Sequence, residues 1–372
     1  MKRRDFLGKA GMGLAATTAA AAAIPAAAQG LPTIRWRMVS SFPKSLDTIY
    51  GGADDIAKRV TELTEGKFTI SCHPAGEIVP GLQVMDAVQN GTVECCHTLT
   101  SFFFGKNPAI AFDAGLAFGL NVRQQNAWMH YGGGLELVRQ VFAQFNCISI
   151  PAGNVGAQMG GFFRKEIKSV ADLKGLKMRI GGFGGTVLAK MGAVPQQIAA
   201  GEIYQALERG TIDAAEFVGP YDDEKLGLHK VAKYYYTPGW WEGSAMESVL
   251  VNLKQWESLP KLYQAVLETA CAETNMKMIA TYDAKNPEAL KRLVGAGVQL
   301  RQFPRDVMDV AYKTAFELYD ELAEKNAEFK RIYDSWRRFR EDQAAWWRVA
   351  EATLDNYTLG RVGRPAPKGP AK

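Results

Sequence analysis

A basic residue at the end of a predicted strand is followed by a glycine-rich turn. Arg179 lies near the end of the segment 177–180, and the glycines of 181–185 precede a helix that we expect to begin near Val187. The planar guanidinium group can hold a carboxylate through two parallel hydrogen bonds, and free N–H groups at a helix start also attract anions. The pattern predicts an anion site, although a surface arginine beside an ordinary turn would look the same. The glycines lack the G-x-G-x-x-G order of a dinucleotide site.

Three side chains with oxygen donors form a second candidate group. Gln158 falls on a predicted apolar strand, Glu216 follows a short apolar segment, and Glu242 follows two tryptophans. Oxygen donors without thiolate or imidazole suit a hard cation such as Na⁺ or Ca²⁺, which can also bridge to an anionic ligand. A glutamate in such a sequence is more often a solvated or salt-bridged surface residue, so the spacing alone does not assign a cation site.

The remaining candidates are aromatic or contain sulfur. The tyrosines and tryptophans of 233–241 would give a small ligand an apolar wall with polar edges, or they would pack in a core. His97 is either a donor to a carboxylate or a core histidine. The 5 cysteines show neither C-x-x-C nor zinc spacing, and we expect buried thiols. No G-x-S-x-G, H-E-x-x-H or P-loop motif occurs, which favours binding over catalysis.

The elements that position these residues follow an α/β pattern. Alternating residues predict a strand at 34–39, an apolar stripe predicts a helix from about Ile49 to Leu63, and a second alternation predicts a strand at 67–72. A strand, a helix and a strand in succession are typical of an α/β fold.

A short internal repeat predicts two similar lobes. The segment 85–94 resembles the segment 204–213, and each has a short amphipathic helix, a glycine and an apolar strand. If the two copies are equivalent, the segments 96–98 and 215–217 both lie at the carboxyl ends of strands. Open α/β sheets bind their ligands at these ends, so we expect both segments to face a common cleft.

The first 28 residues predict export. Arg3-Arg4-Asp5 precedes a weakly apolar run rich in alanine and glycine that ends in Ala26-Ala27-Ala28, which is typical of a twin-arginine signal peptide. Its removal takes away four basic residues and one acidic residue, so the net charge falls from +5 to +2. A nucleic-acid partner therefore has no electrostatic basis.

The rest of the chain is long for a single core, and two lobes are expected. We predict a signal peptide at 1–28, a first lobe mainly within 29–150 and a second lobe mainly within 151–255. Helices that cross the lobes and form the C-terminal region should occupy 256–359, followed by a disordered tail at 360–372.

Six short segments carry a resemblance to a known family, and the resemblance covers nearly all of residues 31–358. These are residues 40–48, 91–97, 153–161, 177–179, 218–225 and 238–243. They resemble the solute-binding proteins of tripartite ATP-independent periplasmic (TRAP) transporters of the DctP type, most closely the TakP-like subgroup that binds 2-oxoacids. The resemblance implies a two-lobed periplasmic binding protein fold, with hinge-linked lobes that close over a ligand and a long C-terminal helical region.

The resemblance also implies roles for individual residues. The position of Arg179 is similar to that of the carboxylate-binding arginine. The positions that resemble cation ligands, bridging the ligand's carboxylate and 2-oxygen, are Gln158, Glu216, the backbone carbonyl of Phe217, and Glu242. Asn154 and His97 resemble secondary contacts of the cleft. Phe217 departs from the tryptophan associated with this position, which changes the expected pocket shape but preserves a backbone ligand.

The function implied is capture of a small 2-oxo monocarboxylate in the periplasm, with Na⁺ at the ligand site and no organic cofactor. The protein would not be an enzyme and would deliver its ligand to the TRAP membrane permease subunits, and a terminal helix could form a homodimer. One alternative is a 2-hydroxy acid of the lactate type, held through Ca²⁺. An exported oxidoreductase that carries a cofactor and a sensing module that hands its ligand to a receptor are further alternatives.

Overall fold

Strands and helices alternate along the first half of the chain, and the strands form two sheets. The computed structural model describes residues 30–362. The predicted signal peptide, 1–28, and residues 363–372 of the predicted tail lie outside the described residues. Within residues 30–362, no helix is long and apolar enough to cross a membrane.

The strands are short and are numbered in chain order. They are β1 Ile34–Ser40, β2 Phe68–His73, β3 Cys95–Leu99, β4 Cys147–Asn154, β5 Gly161–Phe163, β6 Lys177–Arg179, β7 Val194–Gln196, β8 Ala214–Ala215, β9 Tyr234–Thr237, β10 Met246–Asn252 and β11 Gln299–Gln302.

The three longest helices in the described range, of 35, 21 and 23 residues, all follow residue 260. They are α1 Gly51–Leu63, α2 Val84–Gln89, α3 Ala111–Ala114, α4 Val122–Tyr131, α5 Gly134–Ala143, α6 Gly182–Lys190, α7 Ile203–Glu208, α8 Pro220–Lys225, α9 Leu253–Ser258, α10 Lys261–Gly295, α11 Arg305–Lys325, α12 Ala327–Val349 and α13 Glu351–Leu359. Short 3₁₀ helices lie at Gly81–Gln83, Thr100–Phe103, Pro108–Ile110, Val170–Leu173, Ala200–Glu202 and Leu228–Lys230.

Two mixed sheets form the two lobes. The first has the strand order β2-β1-β3-β10-β4, and the second has the order β11-β9-β5-β8-β6-β7. In the first sheet β1 pairs in parallel with β2 and β3, whereas β10 is antiparallel to β3 and β4. The predicted strand–helix–strand unit is β1, α1 and β2. The expected two-lobed α/β fold is confirmed.

The chain passes between the sheets more than once, so the lobes are not simple consecutive segments. We name residues 155–160, which join β4 to β5, the first crossover, and residues 238–245, which join β9 to β10, the second crossover. Helix α10 leads from the first sheet to β11 in the second. Strand β10 thus belongs to the first sheet although it falls in the range 151–255, which the sequence predicts as mainly the second lobe. Strand β11 lies in the second sheet, although it falls in the range 256–359 that the sequence predicts as helices.

The two copies of the internal repeat lie in different sheets. Helix α2 leads to β3 in the first sheet, and α7 leads to β8 in the second. A glycine with positive φ follows each helix, namely Gly91 at +73° and Gly210 at +72°. The structure therefore gives the repeat a counterpart in each lobe.

The long helix α10 packs against both lobes. It contacts β4 and α1 of the first lobe and α8, which follows β8 of the second. Helices α11 and α12 pack against each other, and their buried faces carry Leu318, Tyr319 and Trp336. The buried face of α11 passes through Ala311 and Ala315, whereas Val310 is 37% exposed.

Three local expectations differ from the structure. Helix α6 begins at Gly182 rather than near Val187, so the glycine-rich segment is the first turn of the helix. Gln158 lies in the irregular first crossover and not on a strand. All five cysteines are free, and four are buried as expected, but Cys72 is only partly buried.

Candidate functional site

A cavity lies between the two sheets, with a volume of about 30 Å³ open to the centres of water-sized spheres. Residues of the first lobe line one side and residues that follow strands of the second lobe line the other. The predicted site residues on its wall are Gln158, Arg179, Glu216, Phe217 and Glu242. The same cavity is also lined by Phe42, Ile49, Leu99, Ser101, Phe102, Ile180, Gly181, Gly184, Val218, Trp241 and Glu247.

Arg179 ends strand β6 and is 3% exposed. Its Nη1 donates to the Glu216 carboxylate and, over 2.7 Å, to the Glu216 backbone carbonyl, while its Nε donates to the carbonyl of Ile198 at 3.2 Å. Nη2 donates none of the hydrogen bonds found among residues 30–362. The guanidinium group lies over the ring of Phe217, with its central carbon 5.4 Å from the ring centroid. Arg179 is thus held firmly while one face of its fork stays available to an anion.

The two carboxylates beside Arg179 are shielded from water, Glu216 almost completely and Glu242 in part, and they attract protons. Burial raises the pKa of Glu216 to about 7, although the positive charge of Arg179 opposes that shift. Burial also raises the pKa of Glu242 to about 8, and the negative charge of Glu216 adds to the effect. Ionising both groups in a desolvated site is unfavourable unless a positive charge compensates them.

The donor set fits a hard cation. The Oε1 atom of Gln158 is buried and has no hydrogen-bond partner within residues 30–362, and the Phe217 carbonyl accepts none of the hydrogen bonds found there. Together with Glu216 and Glu242 these atoms supply only oxygen, as Na⁺ and Ca²⁺ prefer. Two of these four donors, the Gln158 amide oxygen and the Phe217 carbonyl, are neutral oxygens, and no group of three or more His, Cys, Asp or Glu side chains in the described range could hold a metal.

The crossovers bring Gln158 and Glu242 together. The N–H of Gln158 donates to the carbonyl of Glu242 at 3.2 Å, and the N–H of Gly239 donates to the carbonyl of Gln158 at 2.9 Å. Ser101 of the first lobe donates to the Glu242 carboxylate at 3.3 Å. Two of the candidate cation ligands therefore lie on the segments that connect the lobes.

Asn154 and His97 do not line the cavity. The Asn154 side chain donates to Ser244 at 2.9 Å and accepts from the N–H of Gly156 at 2.9 Å, so it links the two crossovers. His97 is fully buried on β3, neither ring nitrogen has a hydrogen-bond partner within residues 30–362, and burial lowers its pKa to about 4. His97 packs behind Phe42 of the cavity wall, with the two ring centroids 5.8 Å apart.

Sequence reasoning missed Glu247 and Ser101. Glu247 is a charged residue within the strand sequence Met-Glu-Ser-Val-Leu-Val-Asn, and all seven residues of that strand are buried. An acidic residue among the apolar neighbours of a strand can be recognised from the sequence without the structure. Ser101 gives no such signal, because its role depends on the two lobes meeting.

Comparison with known proteins identifies the family. The family model for bacterial extracellular solute-binding protein, family 7, also called DctP, matches residues 39–326. A monocarboxylate 2-oxoacid-binding periplasmic protein of Nostoc is 51% identical over 360 residues, which cover 96% of this chain and 99% of that protein.

Two solved structures share the fold over most of both chains. A TRAP transporter solute-binding protein of Bordetella bronchiseptica, a dimer with copurified calcium and picolinate in one site, is 60% identical with a TM-score of 0.89 over 90% of this chain and 99% of that chain. A protein of Pseudoalteromonas atlantica with bound sodium and pyruvate is 38% identical with a TM-score of 0.84, covering 87% of this chain and 98% of that chain. This chain therefore belongs to the DctP family of TRAP solute-binding proteins.

Proposed function

We propose that this chain captures a small 2-oxo monocarboxylate together with a cation and delivers it to a TRAP membrane permease. The observation that carries the proposal is the convergence of Arg179 and four oxygen donors on one cavity between the lobes. An arginine beside an oxygen-only donor set suits an anion and a hard cation at adjacent positions.

Each residue has a distinct role in this proposal. The free Nη2 edge of Arg179 binds the carboxylate of the ligand. Gln158, Glu216, the Phe217 carbonyl and Glu242 hold the cation, which neutralises both glutamates and also binds the ligand's carboxylate and 2-oxygen. Glu216 supports the ligand site as well, because it orients Arg179. Asn154 and His97 support the site without lining the cavity.

The ligands named for the relatives share one chemical feature. In pyruvate a keto oxygen, and in picolinate a ring nitrogen, lies one carbon away from a carboxylate. Each pair of donor atoms can chelate a cation in a five-membered ring. A 2-hydroxy acid has the same arrangement, so lactate held through Ca²⁺ is the alternative that a binding experiment has to exclude.

The setting of this function follows from the family and from the first residues of the chain. We infer that the protein is exported through the twin-arginine pathway and works in the periplasm, and that it binds its ligand without chemical change. The double arginine and the small-residue run of 1–28 support the export signal. The helix that ends the described region exposes apolar residues and supports a homodimer.

Isothermal titration calorimetry on the mature, ligand-free protein tests the proposal. Pyruvate and lactate are each titrated in buffer with Na⁺, with Ca²⁺, and with neither after treatment with a chelator. We expect pyruvate to bind most tightly and to require one of the cations. Preference for lactate in Ca²⁺ would support the alternative, and no binding of either acid under any condition would refute the proposal.

A further inference from the structure

Glu247 is a buried carboxyl group of the cavity that the proposed ligand and cation contacts do not use. It lies second in strand β10 of the first sheet, it is 0% exposed, and it lines the same cavity as Arg179. Both of its carboxyl oxygens lack a hydrogen-bond partner within residues 30–362. An unpaired polar group in a desolvated position is unfavourable, so its presence calls for a physical reason.

The surroundings of Glu247 hold it at the cavity and leave it without a structural partner. On the neighbouring strand β4, a Cβ atom at Gly153 would lie 3.1 Å from Oε2 of Glu247 and 2.6 Å from the terminal carbon of Met278. The glycine therefore leaves room for both side chains. Within the described residues, the carboxyl group of Glu247 forms neither a hydrogen bond nor an ion pair.

Glu247 differs from the rest of its side of the cavity. The other residues that the first lobe contributes are Phe42, Ile49, Leu99, Ser101 and Phe102. Four of these are apolar, and the hydroxyl of Ser101 already donates to Glu242. Arg179 belongs to the second sheet and Glu247 to the first. A ligand whose carboxylate binds Arg179 would thus direct its other end towards an apolar wall with one unpaired polar group.

The protonation state of Glu247 suits a donor role. Burial raises the pKa of its carboxyl group well above the usual range, and the negative charges of Glu242 and Asp222 add to that effect. A protonated carboxyl group carries one O–H donor and one carbonyl acceptor. It can pair with a hydroxyl group in either direction, whereas it can form no hydrogen bond with a methyl group.

We propose that Glu247 is a specificity-determining residue that favours 2-oxoacids with a hydrogen-bonding group at the end remote from the carboxylate over acids with an apolar end of equal size. The proposal rests on the proposed function, because it assumes that the ligand's carboxylate binds Arg179. A ligand with an apolar end leaves Glu247 unpaired in the closed cavity, and sites with a buried polar group discriminate strongly against ligands that cannot pair with it.

The test compares two acids that differ only at this end. 3-Hydroxypyruvate and 2-oxobutanoate have the same number of heavy atoms, with a hydroxyl group in one where the other has a methyl group. Calorimetry on the wild-type protein, with the cation that pyruvate requires, should show at least about tenfold tighter binding of 3-hydroxypyruvate. The variant Glu247→Met, which has a similar volume and no hydrogen-bond donor in its side chain, should lose this preference or reverse it.

Glu247→Gln is the matched control, because an amide also donates and accepts hydrogen bonds. It should keep the preference for 3-hydroxypyruvate. An equal ratio of the two affinities in the wild-type and Glu247→Met proteins would overturn the inference, as would a wild-type protein without a preference, a result that does not depend on any variant folding. If the wild-type protein binds neither these acids nor pyruvate, the proposed function itself fails, which is a different result from binding without discrimination.

Discussion

The ion pair between Arg179 and Glu216 has to be maintained both in the ligand-free site and when an anion binds Arg179. Both side chains are almost fully buried, at 3% and 7% exposure, so neither is stabilised by water. A buried ion pair contributes little net stability when intact, but removing one partner leaves an uncompensated charge. The pair is therefore better understood as holding the guanidinium group in position for an anion than as a source of stability.

Replacing Arg179 tests this role directly. Arg179→Ala should weaken binding of pyruvate at least about 30-fold, because it removes the carboxylate contact and frees Glu216. Arg179→Lys should also bind poorly, since lysine keeps the charge but lacks the planar fork. Calorimetry gives both values. Arg301→Ala is the control. Arg301 lies on β11 of the same sheet as Arg179, and its ion pair with Glu166 is away from the cavity, so this variant should retain wild-type affinity. Wild-type affinity in Arg179→Ala would contradict the assignment.

Asp222 links protonation to stability outside the ligand site. Its Oδ2 accepts a hydrogen bond from Tyr282 at 2.5 Å, and burial raises its pKa to about 6, with Asp47 adding to the shift and Tyr282, Lys225 and Lys285 opposing it. Because the folded pKa lies above the unfolded value of 3.8, the corresponding stability is present at low pH and is lost as the pH rises through about 6.

The variant Asp222→Asn removes this titration and keeps an acceptor for Tyr282. Its free energy of unfolding, relative to that of the wild type, should therefore rise by about 1 kcal/mol between pH 5 and pH 8. Urea unfolding of both ligand-free proteins at the two pH values measures the difference. A difference between the proteins that stays constant across this range would show that Asp222 does not titrate there.

At the scale of elements, the crossovers are where the site and the lobe connections coincide. Gln158 lies on the first and Glu242 on the second, and backbone hydrogen bonds join the two. A cation held by both side chains would therefore act on the segments through which the lobes move. This arrangement gives a physical route by which ligand capture stabilises one lobe orientation.

Gly161, the first residue of β5, allows the chain to pass close to Glu216. Its φ is +82°, and a Cβ atom there would lie 2.7 Å from Cα of Glu216 and collide with the carbonyl oxygen of Ala215. Gly161→Ala should destabilise the fold by about 3 kcal/mol and weaken cation-dependent binding, because Glu216 is displaced. Gly175→Ala is the matched control, with φ of +74° and open space around its Cβ position, and should cost about 1 kcal/mol with binding retained. Thermal unfolding and calorimetry measure both effects, and equal losses in the two variants would contradict the steric argument.

Local patterns predicted the elements well where one pattern covered a whole element. The alternation at β1 and β2, the stripe of α1 and the glycines after α2 and α7 all have counterparts in the structure. The start of α6 was misplaced because glycine has poor helix propensity, and tertiary packing of Phe183 and Val187 overrides it. Strand β10 could not be assigned to a lobe, since a buried strand gives no sign of the sheet in which it pairs.

The site was predictable as single residues but not as a constellation. Arg179 beside a glycine-rich segment is a local signal. Gln158, Glu216 and Glu242 were grouped as oxygen donors by residue type, and the family resemblance implied their roles as cation ligands. Their convergence depends on both crossovers, which no spacing along the sequence reveals. The resemblance implies that His97 and Asn154 are secondary contacts of the cleft, but neither lines the cavity, because His97 is fully buried on β3 and the Asn154 side chain donates to Ser244.

At the scale of the whole molecule, the described conformation is closed over the cavity. Asp47 of the first lobe pairs with Lys225 of α8 and accepts a hydrogen bond from Tyr221 at 3.0 Å. Gln197 of the second lobe donates to the carbonyl of Phe102 in the first at 2.9 Å. These contacts lie near the outer surface, where ion pairs contribute little individually, so closure should depend mainly on ligand and cation.

Weakening one of these contacts should change the lifetime of the complex. Asp47→Asn removes the charge that pairs with Lys225 and should increase the rate of ligand dissociation about threefold, with little change in unfolding free energy. Stopped-flow dissociation at low ionic strength measures the rate, and added salt should narrow the gap between variant and wild type. Asp55→Asn, on the exposed face of α1, is the control. A dissociation rate equal to that of the wild type would indicate that the Asp47 contacts do not hold the lobes closed.

The C-terminal helices carry the last feature of the whole molecule, an exposed apolar surface. Trp346 and Val349 at the end of α12, and Leu354 and Tyr357 on α13, are between 57% and 73% exposed. Burial of such side chains between two copies would provide a driving force for the proposed homodimer.

The double variant Leu354→Glu, Tyr357→Glu should then be monomeric, whereas Asn356→Glu, on another face of α13, should remain dimeric. Light scattering coupled to size-exclusion chromatography measures the mass, and calorimetry with pyruvate should give the same affinity for both variants because α13 does not line the cavity. A wild-type protein that is monomeric at micromolar concentration would refute the dimer, and a double variant that stays dimeric would assign the interface to another surface.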